Sequence, residues 1–242
     1  MDGIVGNGVI PPFATTAGHP PPRLLPLIPP FRFALVQEDI YRGAYPSLKN
    51  LRFLSRLRLR TVISLLPPGA PPSADLVDWC AASGIAHVTY PAAKYDDEVT
   101  VSPAVAAAVV STLIAPGTTP AFLHCRDGGH NTGLVVACLR RLQGWGLGAV
   151  VEEFCRYAKG GELTREEGVF VEGFRGGVRV GTTVPRWLAN DPRWAGATCP
   201  TAAPGRPGRG APPPPRPAWA VLCAWAARHG PMALRAVRGV VD

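Results

Sequence analysis

Through residue 188, short apolar runs alternate with segments whose apolar residues recur at helical spacing. The apolar runs predict strands over 33–36, 40–42, 61–65, 87–90 and 121–124, and the helical spacing predicts helices over 48–57, 74–82, 103–113, 132–142, 148–157 and 165–174. Strands that alternate with helices in this way indicate a mainly parallel sheet between two helical layers. The pattern predicts an α/β domain over residues 32–188, although by itself it does not separate one α/β fold from another.

The two ends of the chain lack this pattern. Residues 1–31 contain eight prolines and little periodicity, so we expect an extended or disordered arm. Residues 189–217 mix Pro, Gly and Arg, a composition that cannot bury a core and that predicts a linker. Residues 218–242 are apolar and basic, and predict short helices that dock on a protein partner or on the domain itself. An anionic surface is the alternative target.

Charge and composition exclude several classes of protein. The net charge is +8, and +5 of it falls after Leu188. The basic residues there are not interleaved with aromatic residues as in a stacking platform, so we expect no nucleic-acid partner. No apolar run approaches the roughly 20 residues of a membrane span, and the start lacks the order of a signal peptide. Six scattered cysteines do not make a secreted disulfide framework. We therefore expect a cytoplasmic protein that uses no metal and no cofactor.

The segment 124–133, His-Cys-Arg-Asp-Gly-Gly-His-Asn-Thr-Gly, joins a predicted strand to a predicted helix. In such a unit, the loop amides and the helix N-terminus converge on one point and can bind an oxyanion. Glycine tolerates the positive φ angles of a tight loop and lets the backbone approach the ligand. The candidate phosphate-binding residues are Arg126, Asp127, Gly128, Gly129, His130, Asn131 and Gly133.

Cys125 opens this loop and is the candidate nucleophile. A helix N-terminus with donor groups lowers a cysteine pKa from about 8.5 into roughly the 3.5–7.5 range, so we expect an acidic thiol. Thr132 is placed to donate a hydrogen bond to the sulfur, and His124 to brace the loop backbone. The alternative is a buried structural thiol at the end of a core strand, which is our expectation for Cys80, Cys138, Cys155 and Cys223.

The acidic segment from Lys94 to Glu98 is the candidate source of a general acid. It follows a predicted strand and precedes a helix that begins at Ser102 and Pro103, which puts it at the same sheet edge as Cys125 in a parallel fold. We select Asp97 as the acid that protonates the leaving oxygen. Lys94 is predicted to contact a phosphorylated substrate. A solvated acidic loop without a catalytic role is the alternative.

The loop resembles that of the plant and fungal atypical dual-specificity phosphatases, some of which hydrolyse inositol pyrophosphates. Further matching segments extend the resemblance from about residue 28 to residue 188, and they are Phe33–Val36, Ile40–Pro46, Leu57–Leu65 and Val184–Leu188. The resemblance implies a three-layer α/β sandwich of the cysteine-dependent dual-specificity phosphatase type. It also implies hydrolysis through a phosphocysteine intermediate.

The chain departs from the family at Asn131. The family loop reads His-Cys-x-x-Gly-x-His-Arg-Thr-Gly, and its Arg binds two phosphoryl oxygens with a charged planar fork, whereas Asn offers one neutral amide. Removing one oxyanion donor costs roughly 10²–10³ in rate. We expect Arg126 to contact substrate rather than to replace this Arg. Two interpretations remain: a slowed phosphatase acting on a phosphoprotein or an inositol pyrophosphate, and an inactive relative that binds phosphorylated ligands or partner proteins.

Overall fold

The computed structural model contains a central β-sheet, and the loop 124–133 lies at the carboxyl edge of this sheet. The structure describes residues 26–93, 99–174 and 176–189. In these residues, five strands pair in the order β1-β2-β5-β3-β4. Only β1 is antiparallel to its neighbour, which confirms the mainly parallel sheet. The strands are β1 (Ala34–Gln37), β2 (Ile40–Ala44), β3 (Thr61–Leu66), β4 (Ala86–Pro91) and β5 (Ala121–Cys125).

Helices cover both faces of this sheet. In the described residues they are α1 (Leu48–Leu54), α2 (Ala74–Ala82), α3 (Pro103–Ile114), α4 (His130–Leu142), α5 (Leu147–Cys155), α6 (Arg165–Gly173) and α7 (Arg186–Ala189). Alternate residues of β5 divide between the two cores, because successive side chains of a strand point to opposite faces. Phe122 packs with α1 and α2, whereas Leu123 packs with α3, α4 and α5. The three-layer α/β sandwich is therefore confirmed.

The strands and helices predicted between residues 33 and 174 are all present, and most of them differ in their bounds. The predicted helix 48–57 ends as a tight 3₁₀ turn over Ser55–Leu57, before Arg58 takes a left-handed conformation with a φ of 50°. Helix α4 begins at His130, two residues earlier than predicted, because the end of the loop already makes a helical hydrogen bond from Gly133 N to Gly129 O at 2.7 Å.

Several predictions lie outside the described residues. These are most of the arm, nearly all of the linker, the segment 218–242, Lys94 and Asp97. In the part of the chain that is described, no helix has the length and apolar character needed to cross a bilayer.

The parallel register brings the site together. Ala44 of β2 lies beside Cys125 of β5, and Ser64 of β3 lies beside His124. The segments that leave the carboxyl ends of these strands therefore meet at one edge of the sheet, where α/β proteins bind their ligands.

Candidate active site

Four consecutive carbonyl groups of the loop after β5 are held from outside the loop. In a trans peptide unit the carbonyl and the following amide point in opposite directions. The outward carbonyls therefore turn the amides of residues 127–130 to the inner side, which forms an anion-binding nest. The four contacts are Tyr45 N to Arg126 O at 3.2 Å, Arg32 Nη1 to Asp127 O at 3.1 Å, and Arg42 Nη2 to Gly128 O at 2.8 Å and to Gly129 O at 3.3 Å.

Gly128 is the residue at which this loop requires glycine. Its φ is +72°, and a Cβ atom there would lie 2.5 Å from Gly43 C and 2.6 Å from Ala44 N. These are backbone atoms of β2 and cannot rotate away. The end of β2 thus packs directly against the loop and fixes its height above the sheet.

Arg42 supports the loop from its carbonyl side. The residue is 1% exposed, and its guanidinium lies 4.1 Å from the centre of the Tyr157 ring. Burial lowers the pKa of Arg42 to about 10, against the opposing effect of Glu153. The side chain is therefore protonated at neutral pH, and it places a fixed positive charge behind the nest.

Cys125 lies at the end of β5 with 2% of its surface exposed. Burial raises the pKa of its thiol, and the Asp127 carboxylate raises it further, while Thr132 and the Gly128 amide act in the opposite direction. Our expectation of an acidic thiol is therefore wrong. The physical reason is that a desolvated sulfur beside a carboxylate gains too little from the loop amides.

The Asp127 carboxylate lies across the entrance of the nest. Its Oδ1 accepts a hydrogen bond from Gly129 N at 3.0 Å and lies 3.4 Å from Cys125 Sγ, while its Oδ2 forms an ion pair with Arg32 Nη1 at 2.8 Å. Partial burial tends to raise the pKa of Asp127, but the Gly129 amide, the thiol and Arg32 outweigh it and lower the pKa. The carboxylate is therefore charged at neutral pH.

His124 is completely buried beneath the loop. Its Nε2 lies 2.8 Å from Ser64 Oγ, which in turn lies 2.7 Å from His87 Nε2. Burial lowers the pKa of His124 to about 3, so the ring is neutral at physiological pH. A neutral ring adds no charge to the site and holds the end of β5 to β3.

Both polar atoms of the Asn131 side-chain amide lie within hydrogen-bond distance of a partner. Its Nδ2 donates to Ala93 O at 2.8 Å, and its Oδ1 lies 2.9 Å from Thr100 Oγ1. The single hydroxyl proton of Thr100 also faces Ala93 O at 2.9 Å. Asn131 thus joins the start of α4 to both flanks of the segment that contains Lys94 and Asp97.

The remaining predicted residues surround the loop. The Arg126 side chain is exposed. His130 Nδ1 lies 2.7 Å from Glu167 Oε1, and both side chains are buried. A Cβ atom at Gly133 would lie 2.8 Å from the Phe154 ring, so glycine there allows α4 and α5 to pack closely.

The site includes residues that our sequence analysis missed as functional candidates, namely Arg32, Arg42, Ser64 and Glu167. Arg42 carried a usable signal, because a charged residue in the apolar strand 40–44 must have a buried partner. Arg32 carried none, since it lies at the edge of the proline-rich arm.

Comparison with known proteins gives a consistent result. A family model described as the tyrosine phosphatase family matches residues 27–190. The chain is 33% identical over 152 residues to a putative tyrosine-protein phosphatase OCA1 of Mycosarcoma maydis, covering 61% of this chain and 93% of that protein. It is 35% identical over 133 residues to inositol diphosphatase DSP5 of Arabidopsis thaliana, covering 54% of this chain and 64% of that protein.

A solved structure has a similar fold. The core catalytic domain of PP-IP phosphatase SIW14 from S. cerevisiae superimposes with a TM-score of 0.56 at 26% identity, covering 62% of this chain and 89% of that chain.

Proposed function

This chain belongs to the tyrosine phosphatase family, and we propose that it hydrolyses a phosphoprotein or an inositol pyrophosphate through a phosphocysteine formed on Cys125. The observation that carries the proposal is that Cys125 begins a loop whose carbonyls at residues 126–129 are held outward. The names of the plant relative and of the yeast phosphatase support the inositol pyrophosphate as a substrate to test first.

The proposed reaction has two steps. The Cys125 thiolate attacks phosphorus, and the bond from phosphorus to the leaving oxygen breaks. Asp97, in the segment that follows Ala93, is proposed to give its proton to that oxygen. Water then attacks the phosphocysteine, Asp97 takes a proton from it, and the cleavage releases phosphate and the thiolate. The loop amides and the buried charge of Arg42 stabilise the phosphoryl oxygens.

The other candidate residues have proposed roles around this reaction. Thr132 and His124 support the nucleophile and its loop, residues 126–131 and Gly133 form the phosphate site, and Lys94 contacts the substrate. We expect slow turnover, because the thiol pKa is raised and residue 131 supplies no charge.

An inactive protein that binds phosphorylated ligands is the second candidate. The observation that favours it is the engagement of the Asn131 amide by Ala93 and Thr100, which leaves position 131 committed to the protein rather than to a phosphate. The proposal that residues 218–242 dock on a protein partner rests on composition alone.

Phosphate release tests the two candidates. The full chain is incubated with an inositol pyrophosphate, a phosphotyrosine peptide and an aryl phosphate, with Cys125→Ser as the control. Release that is abolished by Cys125→Ser, together with a phosphorylated Cys125 peptide in rapidly quenched samples, supports the enzyme. Binding of phosphate without release at any pH between 6 and 9 supports the inactive protein.

We also propose a cytoplasmic location. The cysteines in the described residues, Cys80, Cys125, Cys138 and Cys155, are free thiols, which fits a reducing compartment.

A further inference from the structure

Arg32 is held in an unusual backbone conformation next to the loop. Its φ is +53°, a left-handed region that is unfavourable for residues other than glycine. Hydrogen bonds from Phe33 N to Pro30 O at 3.2 Å and from Ala44 N to Phe31 O at 2.8 Å fix this turn to the end of β2. This unfavourable backbone conformation directs the Arg32 guanidinium towards the loop.

The side chain of Arg32 is also held in place. Its guanidinium carbon lies 4.9 Å from the centre of the Phe31 ring, and 18% of the side chain is exposed. Such a preorganised fork loses little freedom when it binds an oxyanion. Its reach ends at the rim of the nest, because Nη1 contacts both the carbonyl oxygen and the carboxylate of Asp127.

The Asp127 carboxylate has the set of partners that a phosphoryl group would need. One of its oxygens accepts the Gly129 amide and lies beside the Cys125 sulfur, and the other binds Arg32. A loop amide, a nucleophile and a guanidinium are also the groups that hold a phosphoryl group for transfer. The Asp127 side chain is 46% exposed, so its carboxylate can rotate towards the solvent when another anion binds.

Arg42 cannot serve as this cation. It is 1% exposed, and its Nη2 binds only loop carbonyls, on the side opposite to the amides. Nη1 of Arg32 also binds one loop carbonyl, but it binds the Asp127 carboxylate as well, and that carboxylate accepts a hydrogen bond from a loop amide.

We propose that Arg32 is the phosphoryl-binding cation of this site, and that Asp127 is its resting partner, which the phosphoryl group of the substrate displaces. The proposal rests on the proposed phosphatase function, and it assigns to Arg32 part of the work that the loop arginine does in the family. The exchange is a substitution of one anion by another on the same guanidinium and amide donors. No covalent step is involved.

Orthophosphate binding to the full chain, measured by titration calorimetry, tests the proposal without requiring turnover. Arg32→Asn is the main variant, because Asn tolerates the left-handed conformation and removes the charge. Arg58→Asn is the matched control, since Arg58 is an exposed arginine with a φ of 50° at the amino end of β3, away from the site. Circular dichroism and thermal unfolding establish that each variant is folded.

We expect Arg32→Asn to weaken orthophosphate binding at least about tenfold and Arg58→Asn to leave it unchanged, since only the first variant removes a guanidinium from the loop. Asp127→Asn should strengthen binding about tenfold, because it removes the competing charge. Arg32→Lys should retain part of the affinity. In Arg32→Ala, free guanidinium ion should restore binding, an effect that a merely structural role would not produce.

Unchanged affinity in folded Arg32→Asn, or weaker binding in Asp127→Asn, would overturn the assignment. These results are distinguishable from failure of the proposed function. A chain that binds orthophosphate through Arg32 but releases no phosphate from any substrate keeps this inference and loses only the enzymatic activity.

Discussion

Restoring the family arginine by Asn131→Arg should change activity and stability in opposite directions. The substitution adds a charged fork at the start of α4, where the family places it opposite the nucleophile. A single oxyanion donor is worth roughly 10²–10³ in rate, so we expect phosphate release to rise on the order of 10²-fold or more.

The stability cost can be estimated from the contacts that Asn131 makes. The hydrogen bond from its Nδ2 to Ala93 O is lost, at about 1 kcal/mol. Its contact with the Thr100 hydroxyl is lost as well, although the single proton of that hydroxyl is shared between Asn131 Oδ1 and Ala93 O. The Thr100 hydroxyl can then donate to Ala93 O at 2.9 Å, so the carbonyl of this exposed residue keeps a donor. We therefore expect unfolding free energy to fall by about 1–2 kcal/mol while kcat/KM rises.

The assay compares kcat/KM for an aryl phosphate and an inositol pyrophosphate with urea unfolding of the same preparations. Asn131→Met controls for the lost hydrogen bonds and should lose stability without a gain in rate. Asn131→Lys supplies charge without the fork and should give an intermediate gain. Arg32→Asn should cost less activity in the Asn131→Arg background than in the native chain, because the two guanidinium groups serve the same phosphoryl group.

Two results would refute this reasoning. If the native chain is slow and the folded Asn131→Arg variant is equally slow, the absent charge is not what limits the rate, and the inactive interpretation is favoured. If the native chain is already fast, with a kcat in the roughly 1–10³ s⁻¹ range of ordinary enzymes, another cation, with Arg32 as the first candidate, does all of the work.

Three further predictions concern the thiol, the loop and the buried histidine. Alkylation of Cys125, followed by peptide mass spectrometry, should be slow at neutral pH and become faster as pH rises, because the thiol pKa is raised. Asp127→Asn should move the midpoint of this pH dependence to lower pH. A native midpoint well below neutral pH would contradict this prediction. Gly128→Ala should unfold the loop and lower stability by several kcal/mol, whereas Gly69→Ala, with a φ of +77° and open space around it, should cost only the roughly 1–2 kcal/mol of the left-handed backbone; equal losses would exclude the clash with β2. Because burial lowers the pKa of His124 to about 3, the unfolded chain binds the extra proton between about pH 6.5 and that value, so stability should fall as pH drops through this window; an unchanged pH dependence in a folded His124→Gln variant would argue against this origin.

The local parts of the site could be predicted from the sequence. Residues 121–123 are apolar, as in a short buried strand, and α4 carries apolar residues at helical spacing, so we expect the loop between them to lie at the carboxyl edge of a parallel sheet. The helix α2 has the predicted bounds, Ala74–Ala82, since Ser73 caps its start by accepting a hydrogen bond from Leu76 N.

The long-range parts could not be predicted. Arg32 and Arg42 reach the loop across separations of 95 and 86 residues, and periodicity carries no information on such contacts. The raised pKa of Cys125 has the same origin. A loop cysteine at a helix start reads as acidic, and only the packed structure reveals the burial and the Asp127 carboxylate that reverse the shift.

Phosphate binding and phosphate turnover are physically separable in this chain. The four contacts that turn the loop carbonyls outward come from Tyr45, Arg32 and Arg42, and none of them uses residue 131. The nest therefore persists when the family arginine is replaced by Asn131, whose own bonds run to Ala93 and Thr100. In our proposal, phosphate binding depends on the loop backbone, on Arg32 and on the residues that hold the loop, whereas the rate also depends on the charge opposite the sulfur and on the thiol pKa. A slow enzyme and an inactive phosphate-binding protein would then share the same site, and they would differ in whether Arg32 and the loop amides suffice for the transition state and in whether the thiol ionises.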